Sequence, residues 1–337
     1  MITFAAGGRQ KDWAVVGGRL LTGLVEVSEG PAVLDRSGLW VVAISFEGAL
    51  RCLRFERAQP LGSWWVDAPP WQPAKQWRSS LDRDAYVAAV EHVRERIALG
   101  DVYQVNVCRV LSAPLPAPPD LRALGAALAR GNPAPYAAVV SAPSADLHVA
   151  SASPELFLRR DTDRVESGPI KGTAADASGL TGKDRAENVM IVDLVRNDLG
   201  RVAVPGSVTV PSLLAVEHHP GLVHLVSTIG ARLTPDAGWP ELLAATFPPG
   251  SVTGAPKSSA VDILRSLEPV PRGIYCGAVG WVDADARRGA LAVAIRTYEW
   301  RDGRLHLGTG AGITWGSDPA REWEETELKV RTLLAVR

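Results

Sequence analysis

Lys171 lies in the turn Gly168-Pro-Ile-Lys-Gly-Thr173, with the carboxylate of Glu155 upstream and an acidic helix downstream. A lysine buried beside a cation loses its proton more readily, and its free amine is then a nucleophile. The acidic helix, expected over 183–199, has Thr181 as its cap and Asp184 three residues on. Asp184 and Glu187 are three residues apart, so they share a helical face with Met190, Ile191 and Leu194. Carboxylates on an apolar stripe are costly unless they are paired or bind a metal. A last helix, expected over 319–335, opens at Ser317-Asp318-Pro319 and presents Glu322, Glu325 and Lys329 on one face. Carboxylates converging from two helices suit a hard cation that keeps several waters, which is Mg²⁺. Taken separately, the same residues are solvated faces laced by i,i+4 ion pairs.

Two glycine-rich segments resemble nucleotide-binding loops and fail on context. Gly308-Thr-Gly310-Ala-Gly312 has no helix before Pro319, so the βαβ unit is missing. In Gly250-Ser-Val-Thr-Gly254-Ala-Pro-Lys257 the glycine spacing is one short of a phosphate loop. Both are expected as loops whose backbone N–H groups approach an anion.

The elements that must position these groups follow from pattern. Strands are expected at 13–16, 38–45, 50–55, 102–111, 136–141, 147–151, 155–159, 274–283, 290–298 and 304–308. Helices are expected at 82–98, 120–130, 183–199, 256–266 and 319–335. Strands and helices interleave without a regular βαβ period. The fold class is therefore α+β, with large antiparallel sheets packed in layers and helices outside. Residues 1–83 form a strand-rich N-terminal part integrated with the rest, and 84–337 the motif-bearing region.

The chain has 337 residues, 46% of them hydrophobic, enough for a sizeable core. With 36 basic and 37 acidic residues the charge is balanced, which argues against a nucleic-acid-coating or membrane-surface protein. Cys52, Cys108 and Cys276 have neither metal spacing nor a disulfide framework. Residues 1–30 carry no apolar signal core, and no apolar run approaches about 18 residues, so a cytoplasmic location is expected.

Ordered strings now carry a resemblance: Asp101-Val-Tyr-Gln-Val-Asn106, Ser153-Pro-Glu-Leu-Phe157, Pro169-Ile-Lys-Gly-Thr173 and Glu187-Asn-Val-Met-Ile-Val-Asp-Leu-Val-Arg-Asn-Asp-Leu-Gly200. They continue with Val223-His-Leu-Val-Ser227, Phe247-Pro-Pro-Gly-Ser-Val-Thr-Gly-Ala-Pro-Lys257, Gly273-Ile-Tyr-Cys-Gly-Ala-Val-Gly280, Ala294-Ile-Arg-Thr297 and Gly310-Ala-Gly312 through Glu325-Thr326. The chain from about residue 84 onward resembles the chorismate-utilising enzymes, which include the anthranilate, aminodeoxychorismate, isochorismate and salicylate synthases. Members that activate water carry Lys where this chain has Gln104, which points to the ammonia-using members. Among those, Lys in Pro-Ile-x-Gly-Thr resembles the aminodeoxychorismate synthases (component I), whereas anthranilate synthases usually carry Ala there.

The resemblance implies that Lys171 attacks C2 of chorismate and ammonia then displaces it at C4. Glu155 would be the general acid, and His224 a second acid–base or orienting group. Mg²⁺ would be held by Glu187, Glu322 and Glu325, with Asp184 near or in the outer shell. Arg296 would pair with the enolpyruvyl carboxylate, helped by Thr253, Tyr275 and the Gly310, Ala311 and Gly312 backbone. Thr173, Gln104 and Lys329 would also meet substrate. No cysteine sits in a Gly-x-Cys-x-Gly context, so a separate glutamine amidotransferase subunit would supply the ammonia. Three alternatives stay open: anthranilate synthase component I, an aminodeoxyisochorismate-type synthase and a catalytically dead chorismate-binding subunit.

Overall fold

Local sequence sets the helix ends, and long-range pairing does the rest. A computed structural model describes residues 2–3, 12–174, 176–219 and 222–337. The N-terminal part supplies β1 (Ile2–Thr3), β2 (Trp13–Val16), β3 (Arg19–Ser28), β4 (Leu39–Ile44), β5 (Leu50–Pro60) and β6 (Arg78–Ser79). After α1 (Arg83–Ala98) come β7 (Gln104–Pro114), α2 (Leu121–Gly131), β8 (Tyr136–Ala142) and β9 (Leu147–Ser153). Then follow β10 (Leu156–Asp161), β11 (Arg164–Gly168), β12 (Ile170–Ala174), α3 (Gly182–Gly200), β13 (Thr209–His219), β14 (Leu222–Arg232) and α4 (Trp239–Thr246). The remainder is β15 (Gly254–Ala255), α5 (Lys257–Leu267), β16 (Ala278–Asp283), β17 (Arg288–Val293), β18 (Thr297–Arg301), β19 (Arg304–Ile313) and α6 (Pro319–Leu334).

Caps read from the sequence are made as expected. The Thr181 hydroxyl accepts from the Asp184 N–H while Asp184 accepts from the Thr181 N–H, a reciprocal box at the start of α3. Asp318 caps α6 by accepting from the Arg321 N–H, with Pro319 at the first helical position.

Antiparallel ladders run from β7 through β19, β18, β9, β8, β2 and β3 to β5. They continue through β4, β16, β17, β10 and β11 to β14, which also pairs with β12 and β13. This strand path doubles back on itself. Val16 and Val140 from one limb share a buried cluster with Val41, Leu53 and Val279 from the other. A second cluster lies under α3 and α4, and a third, with Tyr86, Val105, Ile263 and Ala311, between α1, α5, β7 and β19. The fold is the expected one of layered antiparallel sheets with helices packed on them. Among the described residues no helix is long and apolar enough to cross a membrane.

Several elements differ from the sequence pattern. The stretch 290–298, expected as one strand, breaks after Val293 and resumes at Thr297, with Arg296 between at φ +51°. The stretch 274–283 begins as a turn, with Cys276 at φ +64°, and β16 starts only at Ala278. Left-handed backbone at a non-glycine residue costs of order 1–3 kcal/mol and gathers at functional sites. Gly308–Gly312, expected as a loop, is strand instead, paired to β7 with Gly310 opposite Cys108. Strands β3, β11, β13 and β14 and helix α4 carried no clear pattern of their own.

One buried network fixes the Gly250–Val252 turn against β7. Arg272 pairs with Glu268 at 2.7 Å and donates to Val252 O at 2.9 Å and Asn106 O at 2.8 Å, and its side chain is 1% exposed. Removing one member of a buried pair strands the other charge, so Arg272→Met should lower stability by about 3–5 kcal/mol. Urea unfolding checks this; a loss below about 1 kcal/mol would contradict the role given to the network.

Candidate active site

Strand alternation aims the site. On β7, Gln104, Asn106 and Cys108 share one face while Val105 and Val107 enter the core on the other. On β19 the glycines at 308, 310 and 312 take the first face, and Ala311 and Ile313 the second. The glycines are there for space. A Cβ at Gly308 would come within 2.0 Å of the Tyr275 ring, at Gly310 within 2.7 Å of the Cys108 sulfur, and at Gly312 within 2.3 Å of Gln104 Nε2. Beyond Leu307 no other described strand pairs with β19, so one side of its backbone is free of a ladder.

Around this glycine strand the polar groups converge. Lys171, on β12, donates from Nζ to Ser251 O at 2.7 Å. Gln104 donates from Nε2 to Glu187 Oε2 at 3.3 Å. Lys183 spans two helices, with Nζ 2.7 Å from Glu322 Oε1 and 3.7 Å from Glu187 Oε1. Lys329 pairs with Glu325 at 2.7 Å and donates to Gly310 O at 2.9 Å.

Among the described residues three buried side-chain atoms here have no partner at ordinary hydrogen-bond geometry: Gln104 Oε1, Glu155 Oε1 and Ser251 Oγ. Each such group costs about 1–3 kcal/mol, and buried polar groups are ordinarily satisfied. Of the three, Glu155 and Ser251 lie beside Lys171 and act on one another. Next to Glu155 and Ser251 lies a cavity of about 20 Å³, also lined by Pro169 and Val293, large enough for one water.

Charge follows position. Burial pushes the Glu155 carboxyl above the usual range, against the pull of Ser251, Lys171, the Ile170 N–H and Lys329. Glu187 is also raised, first by burial and then by Glu322 and Glu325, while Lys171 and Lys183 oppose the rise. Arg296 is lowered by burial alone, and among the described residues it makes no ion pair. A half-buried guanidinium without a carboxylate is a ready partner for an incoming one.

Electrostatic contacts and hydrogen bonds link Glu155, Lys171, Lys329, Glu187, Glu322, Glu325 and Gln104 into one cluster. Asp184 caps α3, where its Oδ2 takes both the Thr181 N–H at 2.8 Å and the Thr181 hydroxyl at 2.6 Å. Thr253 is fully buried and its hydroxyl donates to Pro249 O at 2.7 Å, so it shapes the turn and presents no free proton. The Ala311 methyl belongs to the core, leaving only its backbone near the site. Tyr275 is buried with its ring against Gly308. His224 is buried on β14 opposite Thr173 in register; the Thr173 side chain lies outside the described residues. Lys171 shares carboxylate neighbours with two other lysines: Lys329 at Glu155 and Glu325, and Lys183 at Glu187 and Glu325. Ser251 and Lys183 were missed. A backbone carbonyl leaves no mark in sequence, whereas Lys183 stands four residues before Glu187 and was readable as its helical partner.

Comparison with known proteins decides the family. Residues 66–335 match the model of the chorismate binding enzymes. The chain belongs to that family. An anthranilate synthase component 1 of Haloarcula marismortui is 39% identical over 300 residues, covering 85% of this chain and 60% of that protein. An aminodeoxychorismate synthase component 1 of Salmonella typhimurium is 38% identical over 280 residues, covering 79% and 60%. The chain thus spans 60% of the length of both relatives. A 2,3-dihydroxybenzoate-specific isochorismate synthase from Bacillus anthracis shares the fold, with a TM-score of 0.81 at 24% identity over 96% of this chain and 95% of that one.

Whether a divalent cation fits is answered by the donors. Among the described residues no three candidate ligands stand close enough to hold a metal as they are. The chemistry still suits one: Glu187 and Glu322 meet at a single ammonium, and Glu325 lies within electrostatic reach of Glu187. Glu187, Glu322 and Glu325 are therefore the residues that would hold Mg²⁺.

Proposed function

We propose that this chain aminates chorismate at C4, giving 4-amino-4-deoxychorismate, with Lys171 as a covalent nucleophile. The observation that carries this is the Lys171 amine, fixed by Ser251 O and within electrostatic reach of the buried Glu155 carboxyl. A proton passing from the Lys171 ammonium to Glu155 readies both groups. Attack by the amine forms the N–C2 bond, the ring diene shifts, and the C4–O bond breaks. Glu155 protonates the departing hydroxyl, which leaves as water. Ammonia then attacks C4, the electron pairs shift back, and the lysine leaves C2 as a neutral amine. The proton shed by the new ammonium returns to Glu155. The balance is chorismate plus ammonia to the amino product plus water.

When bound, Mg²⁺ would offset the negative charge of the substrate's ring carboxylate. Arg296 would take the enolpyruvyl carboxylate through two parallel hydrogen bonds. His224, buried beside Thr173 in the β12–β14 ladder, would orient groups at the ring. The Gln104 carbonyl oxygen has no partner among the described residues and suits an N–H donor such as ammonia. Lys329 would lend positive charge beside Gly310.

All three thiols, Cys52, Cys108 and Cys276, are buried. The ammonia would come from a separate glutamine amidotransferase subunit. The para relation of amine and carboxylate is the one that p-aminobenzoate, and through it folate, requires.

Arg296→Ala should remove about 1.5–3 kcal/mol of binding, the scale of a charged hydrogen bond. In steady-state kinetics this appears as a KM for chorismate raised roughly 10- to 150-fold with kcat little changed. A kcat effect with unchanged KM would place Arg296 elsewhere in the reaction.

Anthranilate formation is the competing outcome, favoured by the identity to the Haloarcula protein. Purified protein given chorismate, Mg²⁺ and an ammonium salt separates the two when the product is identified by NMR. An amine at C4 supports the proposal. Anthranilate, or an amine at C2, overturns it.

A further inference from the structure

We propose that Lys183 is an internal stand-in for the divalent cation, holding the carboxylates together in the metal-free protein and leaving when the metal binds. The inference rests on Glu187, Glu322 and Glu325 being the residues that would hold that cation. Lys183 is the second residue of α3, one turn before Glu187 on the same face. Its Nζ lies 2.7 Å from Glu322 Oε1, 3.7 Å from Glu187 Oε1 and 3.3 Å from Ser317 Oγ. One ammonium thus bridges carboxylates on α3 and α6 at the point where a cation would join them. Lys329 does not do this: it pairs with Glu325 alone and is tied to Gly310 O.

The burial of the partners separates the fixed groups from the movable one. The Glu322 and Glu187 side chains are 5% and 12% exposed, while that of Lys183 is 40% exposed. The carboxylates are fixed in the interior, whereas the lysine reaches in from the surface on a flexible stem. An ammonium and a divalent ion on the same carboxylate oxygen would stand within about 4 Å of each other as like charges, so the two occupants exclude one another. Two consequences follow. The metal-free protein avoids leaving buried carboxylates uncompensated, and every metal that binds does so against the lysine.

The test is calorimetric titration of Mg²⁺ into the full chain without chorismate, with thermal melts in the presence and absence of Mg²⁺. Lys183→Met and Lys183→Gln are expected to bind Mg²⁺ about tenfold more tightly than the natural chain, a scale typical of groups around a metal. Both should melt lower without metal and gain more on adding it. Lys183→Arg, which keeps the charge, should retain the weaker binding. Equal or weaker Mg²⁺ binding by both neutral variants, alongside measurable binding by the natural chain, would overturn the stand-in role and leave the metal site intact. If no variant and not the natural chain binds Mg²⁺, the carboxylates are not a metal site and the inference falls with it. The melts show whether each variant is folded, so a loss of binding through misfolding is recognised as such.

Discussion

Lys171→Ala is expected to lower C4 amination by roughly 10³-fold or more, the loss that follows removal of a covalent nucleophile. The size of the effect follows from the proposed double displacement. In it the lysine occupies C2 while the hydroxyl leaves C4, and ammonia then enters C4 as the lysine departs and the diene is restored. Without the lysine amine, ammonia attacks C2 itself and the product is an ortho amine or anthranilate. Folding should survive, since the substitution takes away one hydrogen bond, from Nζ to Ser251 O, and a charge whose loss Glu155 and Glu187 can meet by holding a proton. Chorismate should still raise the melting temperature, because Arg296 and the glycine strand are untouched. Retention of C4 amination within tenfold of the natural chain would sink the covalent role.

The second large effect is at Glu155. Glu155→Gln keeps shape and removes the transferable proton, so kcat should fall about 10²- to 10⁴-fold, the usual weight of general acid–base catalysis. Burial raises this carboxyl above its ordinary value, which keeps it protonated further toward neutrality. Activity that depends on the protonated form should therefore fall as pH rises through the raised value, and that limb should vanish in the variant. Stability moves the same way. The folded state binds a proton that the unfolded chain has already released, so between the ordinary and the raised value stability falls as pH rises. Glu155→Gln cannot ionise and should lose that slope, ending above the natural chain in urea unfolding at alkaline pH. A variant less stable than the natural chain at high pH, with its activity profile unchanged, would contradict both the buried acid and its role.

Helix ends and strand faces were legible because they are local. The Thr181–Asp184 box, the Asp318–Pro319 start of α6 and the alternation of Gln104, Asn106 and Cys108 on β7 all depend on residues a few positions apart. What sequence could not show was set by distant partners. β13 is interrupted by register shifts at Thr209/Ser212 and Ser212/Ala215 and by Leu214 at φ +54°, so its alternation is lost until β14 supplies the pairing. Gly308–Gly312 looks like a loop until β7 takes it into a ladder, and its glycines then serve close approach. Arg296 and Tyr275 sit where continuous-looking strands break, which no local pattern announces. Asp184 carries a local duty as well: its Oδ2 makes the cap with Thr181.

The most direct test of the covalent mechanism is the intact mass of the protein after incubation with chorismate and Mg²⁺ in the absence of ammonia, followed by peptide mapping. The mechanism predicts a mass gain of one chorismate less one water, carried by Lys171 and released when an ammonium salt is added. An unmodified chain that nonetheless forms the C4 amine once ammonium is supplied would contradict it.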